Sequence, residues 1–160
     1  MTRRWACVVI LLLLAVPGWA WADEGLETGM AITVAEWAYD VRDDGDYDPN
    51  PSGVFPRGSR GYAYLEVEGF AVGGSGDENL VDLRVDIALR SGWGVKLFSQ
   101  EDLVEYTLPQ EAFPPPETVW FYIWVDIPWW APRATYRAEV TVRDLVSGEA
   151  VSLEREITVE

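Results

Sequence analysis

The chain has 160 residues and a net charge of −15 at neutral pH, with no histidine and a single cysteine. Without histidine it has neither a Ser-His-Asp triad nor an imidazole metal ligand. The negative charge disfavours binding to nucleic acid and to anionic lipid, and favours basic or cationic partners.

The first 22 residues are predicted to be a cleaved export signal. Arg3 and Arg4 give it a positive start, an apolar core runs from Val8 to Val16, and Ala20-Trp21-Ala22 has the small residues of a cleavage site. The core is too short to span a bilayer. We therefore expect a mature chain in the periplasm or outside the cell, without a membrane span.

The only cysteine, Cys7, falls inside the predicted signal. The mature chain would then have no thiol and no disulfide, which excludes thiol catalysis and thiolate zinc sites. Residues 23–29 are predicted to be a flexible lead-in. Residues 30–160 have the length of a single domain.

The first half of this domain has the period of β-strands. Met30 to Val41 changes face midway, which indicates a bulge near Ala35-Glu36 or a strand that switches sheets. In the segment from Tyr62 to Val67, the side chains expected to point inward are Ala63, Leu65 and Val67. The alternation is most regular from Val81 to Leu89, which predicts a strand with one buried face.

The second half continues the pattern. Short strands are predicted at Val95–Phe98 and Leu103–Leu108, and Pro114-Pro115-Pro116 is expected to be a stiff connector. Val119 to Ile127 predicts a strand that is apolar on both faces. Tyr136 to Val142 and Val151 to Val159 predict a hairpin around the Ser147-Gly148 turn, and we find no helical period of useful length.

These elements predict an all-β fold, an immunoglobulin-like antiparallel β-sandwich of seven to eight strands. The hairpin from Tyr136 to Val159 and the strand from Gly61 to Phe70 resemble the immunoglobulin-like and fibronectin type III-like modules of secreted and envelope proteins of bacteria. Modules of this type commonly bind or space other proteins, and the fold itself carries no activity.

Aromatic residues give the first candidate site. Strand geometry places Trp120, Tyr122 and Trp124 on one face, and a neighbouring second strand would add Tyr62 and Tyr64. This face is either covered by another strand, a long loop or the lead-in, or forms a protein or dimer interface, or is a carbohydrate platform. Trp129 and Trp130, between two prolines, are predicted to lie on a loop and either join this site or plug the end of the core.

An acidic loop gives a calcium hypothesis. Its potential ligands alternate as they do at the start of a calcium loop: Asp44, Asp46, Asp48 and Asn50. The pattern departs from a calcium loop because Pro49 stands where glycine is needed and Phe55 where a bidentate glutamate is needed. A solvated acidic turn is the alternative.

Composition allows a carboxylate pair for glycoside cleavage, but Glu66, Glu68, Asp82 and Asp86 have the phase of ordinary outward strand residues. We therefore predict an exported module that is not an enzyme and holds no cofactor, with calcium as the one exception considered. Its role would be binding or structural support, with another envelope or secreted protein as partner. A carbohydrate-binding module is the alternative.

Overall fold

The computed structural model describes residues 29–160. The predicted export signal, residues 1–22, lies outside the described residues, as does all of the predicted lead-in except Gly29. Within the described part, no helix is long and apolar enough to cross a membrane.

Nine β-strands and one short 3-10 helix make up the secondary structure of residues 29–160. The strands are β1 (Ala31–Asp43), β2 (Asp46–Pro49), β3 (Val54–Phe55), β4 (Arg60–Glu68), β5 (Val81–Ser91), β6 (Lys96–Leu108), β7 (Thr118–Asp126), β8 (Ala134–Asp144) and β9 (Ala150–Val159). The 3-10 helix, Gln110–Ala112, precedes the proline connector.

The strands form two sheets. The first has the order β2-β1-β4-β7 and the second has the order β3-β9-β8-β5-β6. All pairings are antiparallel except that of β3 with β9. The structure confirms the predicted all-β class. It has nine strands where seven to eight were predicted, and two of the nine, β2 and β3, are very short.

The two sheets are held face to face by side chains of alternate residues. On β5, Val81, Leu83 and Val85 are buried, as their phase predicts. They join Leu65 and Val67 of the first sheet in the main core cluster. A second cluster, around Phe55, Ile127 and Val159, closes the other end of the sandwich.

The structure differs in detail from the predictions for β1 and for β6. The register of β1 shifts between Ile32 and Val34 against β4, and between Ala38 and Asp40 against β2. Both pairings belong to the first sheet, so β1 bends within its sheet and does not switch sheets. The two short strands predicted at 95–98 and 103–108 are one strand, β6, because a bulge absorbs the break between them.

The β6 bulge is fixed by charged groups from neighbouring strands. Asp102 lies in the left-handed region, at φ 51°, and its backbone N–H donates to Asp86 Oδ1 at 2.8 Å. Arg143 of β8 donates from Nε to Asp86 Oδ2 at 2.8 Å and from Nη2 to Asp102 Oδ1 at 2.6 Å. The arginine therefore connects three adjacent strands of the second sheet.

Candidate binding site

The predicted aromatic residues lie on the outer face of β4 and β7, which are neighbours in the first sheet. Register places Tyr62 opposite Trp124, Tyr64 opposite Tyr122 and Glu66 opposite Trp120. We call Tyr62, Tyr64, Trp120, Tyr122 and Trp124 the aromatic row. The row is continuous in the sheet, but its two ends are in different environments.

One end of the aromatic row is covered by the β1–β2 hairpin. Tyr64 is 0% exposed, and the ring of Tyr47 stacks on it with centroids 4.4 Å apart. On its other side Tyr64 stacks on Trp120 at 6.0 Å. The backbone N–H of Gly45, at the hairpin turn, donates to the Tyr64 hydroxyl at 3.0 Å. Another strand of the chain therefore covers this end, so Tyr64 is closed to any ligand.

The Tyr64 hydroxyl lies between two carboxylates. Its oxygen is 2.7 Å from Glu66 Oε1 and 3.0 Å from Asp44 Oδ1. Burial, and then the hydrogen bond to Glu66, raise the pKa of this hydroxyl. It therefore stays protonated and donates to one of the two carboxylates, while the bond that it accepts from Gly45 N–H connects it to the hairpin turn.

The other end of the aromatic row is open. Tyr122 is 42% exposed and Trp124 is 50% exposed, while Tyr62 is half-buried. The Arg60 guanidinium lies 4.0 Å from the centroid of the Trp124 ring. Arg60 also donates from Nε to Asp126 Oδ1 at 2.7 Å, and this bond lowers the pKa of the Asp126 carboxyl. The indole of Trp124 is thus held in a fixed position.

A second feature, which sequence reasoning missed, is an apolar cleft between the two sheets. It has a volume of about 360 Å³, which is in the range of small-molecule sites. It reaches from β9 at one side to the edge strands β6 and β7 at the other, and we call it the inter-sheet cleft. The side chains that line its walls include Ala63, Ile87, Leu89, Leu97, Phe98, Ile123, Val125, Trp130, Ala138 and Ile157.

The inter-sheet cleft exists because small residues occupy inward positions. Ala63 of β4 and Ala138 of β8 both line it. The next inward positions on the same strands, two residues further along, carry the larger side chains of Leu65 and Val140. The alternation of apolar and polar residues correctly predicts that these alanines point inward. It gives no information on side-chain size, and so it does not predict the space that the small alanine side chains leave. Two alanines in the inward phase of different strands were the signal available in the sequence.

The mouth of the cleft is surrounded by exposed apolar side chains. Trp130 is 65% exposed and lines the cleft, so it lies at the mouth and does not plug the core. Trp129 is exposed beside it on the loop between β7 and β8, as predicted for a loop. From the second sheet, Leu97 and Phe98 of β6 are exposed and also line the cleft.

The acidic loop of the calcium hypothesis has an arginine bonded to two of its carboxylates. Arg42 takes the central position and donates from Nη2 to Asp46 at 2.6 Å and from Nη1 to Asp48 at 3.2 Å. The bond from Arg42 lowers the pKa of the Asp46 carboxyl. Asp44 is turned towards Tyr64. Within residues 29–160 no group of three or more His, Cys, Asp or Glu side chains is placed to hold a metal.

Asn50, the fourth residue of the calcium hypothesis, is a structural residue. It is buried, its Nδ2 donates to the Val54 carbonyl at 2.9 Å, and its Oδ1 accepts from Ser52 Oγ at 2.6 Å. These bonds shape the turn before β3. Asp46 and Asp48 are therefore both held by Arg42, whereas Asp44 and Asn50 make other bonds, and the basic residue Arg42 just before the four residues was the signal for this in the sequence.

No family model and no curated protein sequence matches the chain. Among solved structures, the C-terminal domain of wzt is similar, at 10% identity and a TM-score of 0.50, over 82% of this chain and 74% of that one. An immunoglobulin-like protein from Pseudomonas aeruginosa is 13% identical, with a TM-score of 0.40 and coverage of 85% and 100%.

A family 123 glycoside hydrolase from Clostridium perfringens is 7% identical with a TM-score of 0.45, and the match covers 82% of this chain but 27% of the hydrolase. At these identities the similarity concerns the fold alone. The strand order shows that residues 29–160 form an immunoglobulin-like β-sandwich, as the sequence predicts, with all strands antiparallel except for the pairing of β3 with β9.

Proposed function

We propose that the protein is an exported, non-catalytic module of the bacterial fibronectin type III-like kind, which binds another envelope or secreted protein. The observation that carries the proposal is a set of exposed apolar side chains on β7 and on the loop that follows it. We call Tyr122, Trp124, Trp129 and Trp130 the binding surface.

Soluble proteins rarely leave a large contiguous apolar surface open to water, and such surfaces commonly mark interaction sites. Tryptophan and tyrosine are also the residues that most often dominate the energy of protein interfaces. Arg60 holds Trp124 in place before any partner arrives, which lowers the entropy cost of binding. These features support a protein interface.

The charge of the chain indicates the chemistry of the partner. With a net charge of −15, this protein attracts surfaces that carry lysine and arginine. A partner with an apolar contact patch bordered by basic residues would match both the binding surface and the field around it. The export signal predicted at residues 1–22 supports a partner in the periplasm or the medium.

A carbohydrate platform is the second candidate and is less well supported. Aromatic platforms for sugars need free, roughly coplanar ring faces. Here the rings of Tyr62 and Tyr122 are tilted by 53° to one another, and Arg60 covers one face of Trp124. These two arrangements favour a protein partner over a sugar.

The test is affinity capture from native periplasm and medium, followed by calorimetric titration of the partner identified. The bait proteins are the mature chain, a variant with Trp124→Ala and Trp130→Ala, and the control Leu145→Ala. Leu145 is also exposed, but it lies in the β8–β9 turn.

We expect one protein to be retained by the mature chain and the control, and binding to weaken at least about 30-fold in the double variant, as for a hot spot. Equal retention by all three baits, or saturable binding to oligosaccharides alone, would overturn the proposal.

A further inference from the structure

We propose that the inter-sheet cleft binds the aliphatic chain of a single-chain amphiphile whose head group is uncharged or cationic. The inference does not depend on the protein partner proposed above. It rests on the size, lining and shape of the cleft and on the charge of the chain.

The polar side chains that line the cleft are already engaged in ion pairs or hydrogen bonds within the protein. The two charged residues of the lining are paired, Asp126 with Arg60 at 2.7 Å and Glu139 with Arg90 at 3.3 Å. The Trp37 indole donates to the Glu156 carbonyl at 2.8 Å, and the Tyr136 hydroxyl donates to the Pro132 carbonyl at 3.0 Å.

A sugar or a peptide backbone buried in this cleft would therefore lose its hydrogen bonds to water without replacement, at a large cost. A hydrocarbon chain has no such groups to satisfy. The chemistry of the lining selects a hydrocarbon over the polar ligands that immunoglobulin-like surfaces often bind.

The shape of the cleft matches one extended chain. In the second sheet, lining residues run from Ile157 on β9 to Leu97 on β6, which is three strand spacings or about 14 Å. That distance is close to the length of an extended decyl or dodecyl chain. The mouth lies between the edge strands β6 and β7, so the head group remains in water.

Charge decides which head groups fit. The chain carries a net charge of −15, which sets up a negative field around the molecule. An anionic head would be repelled by this field, whereas a cationic head would be attracted. Exposed indoles at the mouth, such as Trp130, also favour an ammonium group through the π face.

The test is calorimetric titration of the mature protein with alkyltrimethylammonium ions and alkyl maltosides of increasing chain length, all below their micelle concentrations. We expect affinity to rise about fourfold for each added methylene until the cleft is filled, and then to level off. At low salt, dodecyltrimethylammonium should bind more tightly than dodecanoate.

Cavity-filling variants locate the ligand. Ala138→Leu and Ala63→Leu add a larger side chain inside the cleft, whereas Ala150→Leu makes the same change at an exposed position on β9. Both cleft variants should weaken dodecyl maltoside binding at least tenfold, and Ala150→Leu should leave it unchanged. Melting temperatures show which variants are folded.

Three results would each overturn the inference. The first is no saturable binding of any probe by the mature protein. The second is affinity that does not depend on chain length. The third is binding to phospholipid vesicles without binding to monomeric amphiphiles, which would identify a membrane-docking surface.

Discussion

The ring of Tyr47 stacks on the ring of Tyr64 with an interplanar angle of 19° and centroids 4.4 Å apart. This one contact joins the edge strand β2 to the covered end of the aromatic row. It makes Tyr64 a core residue of a small cluster on the outside of the sandwich. The row is therefore divided into a covered end and an open end.

Replacement of Tyr47 with alanine should destabilise the fold and uncover Tyr64. Loss of the stacked ring removes apolar burial and an aromatic pair, and we expect the free energy of unfolding to fall by about 2 kcal/mol. Urea denaturation measures this change. The control is Trp93→Ala, since Trp93 is almost fully exposed at a turn, and its effect should be within about 0.5 kcal/mol.

The buried carboxylate of Asp144 gives a second prediction. Asp144 is 1% exposed and accepts hydrogen bonds from the backbone N–H groups of Ala71, Val146 and Ser147, and from Ser147 Oγ. Asp144→Ala leaves these donors without a partner and should cost about 3 kcal/mol in urea denaturation. Ser147→Ala, which removes one donor, should cost about 1 kcal/mol or less. Similar losses for the two variants would contradict this role.

The charge cluster at the β6 bulge should make stability depend on pH. The hydrogen bond from Arg143, and then the N–H of Asp102, lower the pKa of Asp86 below its ordinary value of 3.8. The ionised form is favoured by folding, so its contribution is present above pH 3.8 and is lost as the pH falls through the lowered pKa.

Asp86→Asn should therefore lower the melting temperature near neutral pH, and the difference from the wild type should shrink as the solution is acidified. Asp102→Asn changes the more exposed partner of Arg143 and should have a smaller effect at every pH. A constant difference between Asp86→Asn and the wild type across the acid range would show that ionisation of Asp86 does not matter.

Truncation of a side chain should lower the free energy of unfolding much more on the inner face of β7 than on its outer face. Trp124 is half exposed on the outer face, and Phe121 is buried in the main core. We expect Trp124→Ala to cost about 1 kcal/mol and Phe121→Ala to cost about 3 to 5 kcal/mol. Thermal unfolding of both variants checks the prediction. Unfolding of Trp124→Ala at ordinary temperature would assign its indole to the core.

Periodicity was sufficient to predict the long strands because one buried face dominates each of them. The segment Val81–Leu89 lies inside β5, and Tyr136–Val142 lies inside β8. The adjacency of β4 and β7 also followed from the sandwich topology, and register places Tyr62 opposite Trp124. Local alternation and topology were therefore informative at these positions.

The covered end of the aromatic row could not be predicted from local pattern. Tyr47 stands 17 residues from Tyr64 in the printed sequence, on a strand of only four residues with three polar or proline neighbours. The residue pattern around Tyr47 does not indicate that the β1–β2 hairpin folds over the outer face of the first sheet. The burial of Tyr64 depends on that tertiary contact and not on the sequence of β4.

The inter-sheet cleft could not be predicted from the sequence pattern for a different reason. Binary patterning asks whether a residue is apolar, whereas a cavity depends on summed side-chain volume at facing positions. Ala63 and Ala138 satisfy the pattern and still leave space between the sheets. Their three-dimensional alignment becomes visible once the register of both sheets is known.

The parallel pairing of β3 with β9 has a consequence for folding kinetics. Val54 lies beside Thr158 and Phe55 beside Val159, so contacts that close one end of the sandwich join distant parts of the chain. High contact order of this kind slows folding, because a large loop must be ordered before the pairing stabilises it. Phe55 finds its neighbours Ile157 and Val159 only after β9 has docked. This end of the sandwich can therefore close only when the last strand, β9, is present.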